Sequence, residues 1–202
     1  MPPSVHILIL AAGASSRMRG ADKLVTEVSG QPLLRQLAET ALATGAPVTV
    51  TLPPLAEARR RALAGLPLQI VEVPDAALGM SRSLVRGVET LGQSAGPRDG
   101  VMILPADMPG FTAPALSHLI ARFRADPTLI LRGGTSDGQP GHPAIFPRDL
   151  WPALCQLTGD TGGRSVLNTN QGRVRVIPLP GQMALIDLDT PEDWAAWRAG
   201  SA

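Results

Sequence analysis

Three stretches of this sequence gather side chains able to handle phosphate and a hard cation. The first follows an apolar run ending at Leu10 and reads Ala11-Ala12-Gly13-Ala14-Ser15-Ser16-Arg17-Met18-Arg19-Gly20-Ala21-Asp22-Lys23. Its small residues let backbone N–H groups approach a polyphosphate closely, and Arg17 and Lys23 add charge for its oxygens. The spacing is neither G-x-x-x-x-G-K-[ST] nor G-x-G-x-x-G, which sets aside the P-loop and dinucleotide cradles. Taken alone, the run reads equally as a strand-to-helix connection with two solvated cations.

The other two stretches carry carboxylates. Asp107 lies in Pro105-Ala106-Asp107-Met108-Pro109, directly after the apolar run Val101 to Leu104. A carboxylate at the carboxyl end of a strand is well placed to hold Mg²⁺ beside phosphates, because this ion takes few protein ligands and completes its shell with water and phosphate oxygen. The same Asp could instead cap a turn. Near the C-terminus, Asp187 and Asp189 alternate in Ile186-Asp187-Leu188-Asp189-Thr190-Pro191-Glu192-Asp193, so an extended backbone points both to one side. Glu192 and Asp193 read as complements to the positive end of the helix that follows.

Further runs join glycine to polar side chains. Gly79-Met80-Ser81-Arg82-Ser83-Leu84 opens a helical pattern, where either serine could be a cap or an exposed helical residue. Gly138 to Phe146 holds His142 between a glycine and a proline, and most single histidines are structural or solvated. Gly159-Asp160-Thr161-Gly162-Gly163-Arg164 ends in an arginine suited to bidentate pairing with a phosphate dianion, and Asp160 could cap the following helix.

These stretches must be positioned by the elements between them. Val5 to Leu10 reads as a strand buried on both faces, hence parallel-paired. After it come a helix over 32–43, a strand over 48–52, a helix from Pro53-Pro54 to about Ala64, a strand over 68–73, a helix over 81–91, the strand 101–104, and a helix over 113–124 capped by Thr112. That alternation is the signature of an open α/β sheet with helices on both faces and ligands beyond the carboxyl ends of its strands. The last third is less regular: a strand at 129–131, a glycine-rich loop over 133–141, a short piece at 144–146, helical stretches near 150–157 and 165–168, extended residues 174–177, and a helix opened by Thr190-Pro191.

The 202 residues suit one domain with a real core. A net charge of +1, 3% aromatic residues and no tyrosine leave neither a basic stripe nor a stacking platform, so no nucleic-acid partner is expected. Cys155 is the only cysteine, which excludes an internal disulfide and a cysteine-based zinc site and suits a reducing cytoplasm. With a mean hydropathy of +0.11 and no segment approaching the ~20 apolar residues a spanning helix needs, no membrane association is expected.

From Leu8 to Asp193 these runs, in this order, resemble the nucleotidyltransferase family of MobA/MocA type. It includes the molybdenum cofactor cytidylyltransferases and guanylyltransferases, the isoprenoid cytidylyltransferases and the sugar-phosphate nucleotidylyltransferases. The resemblance implies a three-layer, open, mostly parallel sheet of Rossmann-like nucleotidyltransferase (glycosyltransferase-A-like) type, with a nucleotide-binding half over about 1–110 and an acceptor half over about 111–202. It further implies triphosphate contacts from Leu10, Ala11, Ala12, Gly13, Arg17 and Lys23, and catalytic roles for Arg17, Lys23 and Asp107. Base contacts are implied for Gly79, Ser81 and Ser83, Mg²⁺ ligation for Asp107 and Asp189 with Asp187 as substitute, and acceptor contacts for His142, Asp160 and Arg164. The cytidylyl branch reads L-A-A-G where the guanylyl branch reads L-A-G-G, so Ala12 and the G-M-S-x-S-L run favour CTP. The acceptor implied is a phosphorylated pterin, with a molybdoenzyme or its maturation chaperone as protein partner. Arg19, standing where glycine is common, departs from the pattern.

Overall fold

The computed structural model describes residues 2–15, 18, 21–159 and 162–200; Arg17 and Asp160 lie outside the described residues. The apolar run forms β1 (Val5–Leu10), and its alternating side chains feed two cores. Val5, Ile7 and Ile9 enter one, and Leu8 enters the other. After a 3₁₀ turn at Lys23–Val25 and a small ribbon of β2 (Glu27–Val28) with β3 (Gln31–Pro32), the chain continues through α1 (Leu33–Leu42), β4 (Val48–Leu52), α2 (Glu57–Ala62), β5 (Gln69–Glu72), α3 (Met80–Gly92) and β6 (Gly100–Pro105). Then come α4 (Ala113–Ala125), β7 (Ile130–Gly134), β8 (Pro140–Pro147), α5 (Trp151–Leu154), α6 (Arg164–Thr169), β9 (Val174–Pro178) and α7 (Pro191–Gly200).

Seven strands form one sheet in the order β5-β4-β1-β6-β8-β7-β9. β1 pairs in parallel with β4 on one side (Ile7↔Val48) and with β6 on the other (Ile7↔Met102). The strand order therefore reverses between β1 and β6, which opens a crevice beyond their carboxyl ends. One layer buries Leu33, Leu34, Leu37, Ala38 and Ala41 of α1, the apolar stripe of α4 and Trp194 of α7 against Ile7, Ile9, Met102 and Ile145. The opposite layer packs Leu84, Val85, Val88 and Leu91 of α3, Trp151 and Leu154 of α5 and Val166 of α6 on Leu8, Val101, Ile103 and Phe146. The result is the three-layer, mostly parallel architecture that the sequence implies. Among the described residues, no helix is long and apolar enough to cross a membrane.

Differences from the sequence reading are local. The glycine-rich segment over 133–141 is not a loop throughout, and the short piece at 144–146 is the middle of the eight-residue β8. This strand runs antiparallel to both β6 and β7 and so breaks the all-parallel pairing. Gly141 permits it, because a Cβ there would stand 2.0 Å from the Ala184 carbonyl oxygen. α2 begins at Glu57 rather than at the prolines, since Leu55 takes a left-handed φ of 57° that no helix continues through. The helical stretch near 150–157 shortens to Trp151–Leu154 between 3₁₀ and turn residues.

Candidate active site

The loop after β1 and the Asp107 turn leave neighbouring strands at the same end, for Leu10 pairs with Pro105 and the Ala106 N–H donates to the Leu10 carbonyl at 3.3 Å. The segment preceding α7 is stitched across them. The His142 N–H donates to the Ala184 carbonyl (2.8 Å), and the Leu188 N–H donates to the Asp107 carbonyl (2.9 Å). Buried Leu188 anchors this extended stretch, so Asp187 and Asp189 on either side of it turn toward Asp107. The Thr190-Pro191-Glu192-Asp193 run closes it with a capping box. Thr190 Oγ1 accepts from the Asp193 N–H (3.1 Å), while the Asp193 carboxylate accepts from the N–H groups of Asp189 (3.1 Å) and Thr190 (2.8 Å). Asp193 is thus a specific cap and more than a complement to the helix dipole.

Lys23 joins the two carboxylates. Its ammonium donates to Asp107 Oδ2 at 2.7 Å and to Asp189 Oδ1 at 2.5 Å, with all three side chains less than a third exposed. Burial alone would lower the Lys23 pKa, but the Asp107 charge and hydrogen bond, then those of Asp189, hold it above the usual lysine value. Asp187 shifts the other way for a carboxylate: burial, then repulsion by Asp107 and Asp189, raises it above the ordinary value, with Lys23 opposing. Among the described residues, three carboxylates thus gather beside the Lys23 ammonium and offer hard oxygen donors. Among the described residues, no three or more His, Cys, Asp or Glu side chains form a metal cage. An open donor set of this kind fits Mg²⁺, which keeps water and substrate oxygens in its shell, better than it fits a metal needing a closed protein cage.

Those of the remaining singled-out residues that are described lie around this end of the sheet. Ala11 and Ala12 are buried, Leu10 is half-buried and Gly13 is exposed. Gly79 precedes α3 with φ 121° and ψ 166°, a conformation open essentially to glycine alone. Ser83 and Ser81 are both buried, and the Ser81 hydroxyl finds no hydrogen-bond partner among the described residues. The Ser81 N–H donates to the Gly159 carbonyl (3.1 Å), which brings the G-M-S-x-S-L run against the G-D-T-G-G-R run. Arg164 opens α6 and is exposed.

His142, at the start of β8, is exposed; even so, loss of hydration among its neighbours, then the Arg132 cation, lowers its pKa, while Asp107 opposes the shift. Arg132 was not singled out from the sequence. Burial and then the charge of Arg164 lower its pKa, so Arg132 feels a second guanidinium on one side while its own charge acts on His142. Its Nε and Nη2 donate to the Gly141 carbonyl at 3.2 and 3.1 Å. Nothing in the local sequence distinguishes this arginine, which a β-strand carries to the rim. Arg59 was also missed, although it shares the buried face of α2 with Ala62, where an apolar residue would be expected. At the opposite, amino end of the strands, a shallow groove lined in part by His6, Thr49, Gln69 and Leu91 faces away from these groups.

Residues 7–175 match the MobA-like NTP transferase domain. The chain is 26% identical over 196 residues to nicotine blue oxidoreductase of Paenarthrobacter nicotinovorans, covering 94% of each protein. It is 27% identical over 197 residues to molybdenum cofactor guanylyltransferase of Serratia proteamaculans, covering 95% of this chain and 92% of that one. A crystal structure of Rv0371C from Mycobacterium tuberculosis in complex with manganese superposes with a TM-score of 0.76 at 25% identity, over 96% of this chain and 97% of that one. With residues 7–175 spanned by its domain, the chain belongs to the MobA-like NTP transferase family and, with it, to the nucleotidyltransferases.

Proposed function

We propose that this enzyme transfers CMP from CTP to the terminal phosphate of molybdopterin (molybdenum) cofactor and releases pyrophosphate, with Mg²⁺ as its metal. The observation that carries the reading is the convergence of Asp107, Asp187 and Asp189 on Lys23, beside the loop that follows β1. Asp107 and Asp189 would hold the ion, which when bound supplies positive charge at the α-phosphate. Arg17, Lys23 and the N–H groups of the loop neutralise charge gathering on the leaving pyrophosphate. Arg164 and Arg132 orient the acceptor phosphate, whose ionised oxygen attacks in line and needs no general base. His142, its pKa lowered by loss of hydration and then by Arg132, gives the acceptor a hydrogen-bonding group beside that arginine.

Preference for CTP rests on Ala12 and on Gly79, Ser81 and Ser83 as contacts of the pyrimidine. One domain would serve both substrates, the nucleotide over about 1–110 and the acceptor over about 111–202, with Asp160 contributing to the acceptor side. The product would pass to a molybdoenzyme or its maturation chaperone in the cytoplasm. The competing readings keep the chemistry with GTP or another phosphorylated acceptor, or discard turnover for a carrier of the cofactor. Pyrophosphate release should be measured with Mg²⁺, molybdopterin cofactor and each of CTP, GTP, ATP and UTP. Release with CTP alone supports the reading, release with GTP alone replaces the base assignment, and binding without release points to a carrier.

A further inference from the structure

Arg59 projects from α2 and is only 5% exposed, a depth at which arginine is rarely found without partners. Among the described residues its guanidinium makes five hydrogen bonds, all ending on the loop after β1. Nη1 donates to the carbonyls of Ala11 (2.7 Å) and Gly13 (2.9 Å), and Nη2 to Ser15 Oγ (3.4 Å). Nε and Nη2 grip the Asp22 carboxylate at 2.7 and 2.9 Å. One side chain thus ties the beginning of the loop to its end.

We infer that Arg59 is a positioning residue that braces this loop for the triphosphate, an inference that rests on the loop being the nucleotide's phosphate cradle. In a planar trans peptide, a carbonyl and the N–H of the following residue point in opposite directions. Drawing the carbonyls of Ala11 and Gly13 toward Arg59 therefore aims the N–H groups of Ala12 and Ala14 away from it, onto the other side of the loop. Both donors are thereby fixed on that side before any anion arrives. At the far end, Asp22 caps the 3₁₀ turn by accepting from the Leu24 N–H (3.1 Å), and the next residue is Lys23. Holding Asp22 therefore also fixes where the Lys23 side chain starts. The task needs an arginine: a planar fork with five donors reaches a carboxylate and two carbonyls at once, whereas a lysine offers one compact ammonium. Pairing with Asp22 offsets the cost of burying the cation.

The test uses the full chain with Arg59→Met, Arg59→Lys and Asp22→Asn. Hydrogen exchange of the ligand-free protein reads the brace itself, and calorimetric titration with CTP and with inorganic pyrophosphate, both in Mg²⁺, reads its consequence. In Arg59→Met, amides between Ala12 and Leu24 should exchange about tenfold faster or more, while those of β4 and β6 stay unchanged. Affinity for both ligands should fall about 10- to 100-fold, the loss expected when hydrogen bonds involving a charged group are removed. In turnover, KM should rise more than kcat falls, because the loop is misplaced and the reacting groups are intact. Asp22→Asn should act in the same direction, and Arg59→Lys, which keeps the charge and serves as the variant best able to fold, should recover only part of the loss. Unchanged exchange and affinity would overturn the inference, as would faster exchange spread through the whole sheet. A local rise in exchange in a chain whose wild type binds neither ligand would confirm the brace and sink the nucleotide reading of the loop.

Discussion

Lys23→Met nearly preserves side-chain length while deleting the ammonium held between Asp107 and Asp189. With Nζ at 2.7 and 2.5 Å from the two carboxylates, that charge occupies the position from which a bound cation would act. A pair of unit charges about 4 Å apart is worth about 4 kcal/mol at an effective dielectric of ~20, and partial solvent exposure reduces each pair to about 1 kcal/mol. Two pairs then give about 2 kcal/mol, or roughly 30-fold in a binding constant. The substitution should therefore tighten binding of Mn²⁺ or Mg²⁺ to the nucleotide-free protein by about 10- to 30-fold, since the ion no longer competes with an ammonium. The same variant should lose about 10²-fold in kcat/KM for CTP, because the triphosphate loses a cation in the transition state. Calorimetric metal titration and pyrophosphate release read the two effects. Metal affinity equal to or weaker than wild type would refute the idea that Lys23 stands in for the ion and moves to the phosphates when nucleotide and metal bind.

Other substitutions probe separate links. Asp107→Ala should lower kcat by about 10²-fold or more, as loss of one preorganised electrostatic group does, with an unchanged far-ultraviolet spectrum; full activity would remove Asp107 from the mechanism. Ala12→Gly should shift the GTP-to-CTP ratio of kcat/KM upward by about tenfold, the worth of one methyl-sized contact, and an unmoved ratio would separate base choice from this residue. Gly141→Ala should cost about 1–3 kcal/mol or more in urea unfolding, because its Cβ would collide with the Ala184 carbonyl oxygen, and a loss under about 0.5 kcal/mol, half the smallest overpacking cost, would contradict the close approach.

Asp99 supplies a pH test away from the site. Burial would raise its pKa, but N–H donors of Ser4 and Gly96 and the His6 ring outweigh it and hold the carboxyl below the ordinary value. A depressed native pKa stabilises the fold above the unfolded-state value of about 4, and the gain disappears as pH falls through the native pKa. Asp99→Ala should then cost about 2 kcal/mol at pH 7 and progressively less below pH 4; a gap that widens on acidification would contradict the assignment.

How much could be read beforehand depended on the range of the interaction. β1 and β6 were legible because each holds a short apolar run, β4 because β-branched residues run from Val48 to Thr51, and α4 because Thr112 marks its start and an apolar stripe runs along it. Asp187 and Asp189 were legible as a same-side pair from the period of two alone. β8 was not: Gly138-Gln139-Pro140-Gly141-His142-Pro143 has the composition of a turn, and what makes it a strand is the backbone of Ala184 and the edges of β6 and β7. The partners of Lys23 lie 84 and 166 residues away, so no local pattern could announce them. Arg59 left a trace, a charged residue at an apolar position of α2, that becomes readable once the helix register is known.

The central claim concerns which bond is broken, and isotopic labelling tests it directly. With CTP labelled at the α-phosphorus, molybdopterin cofactor and Mg²⁺, the account predicts that label enters the acceptor as a cytosine dinucleotide while pyrophosphate leaves unlabelled. Label absent from the acceptor, or phosphate transferred from the γ position in place of CMP, would contradict it.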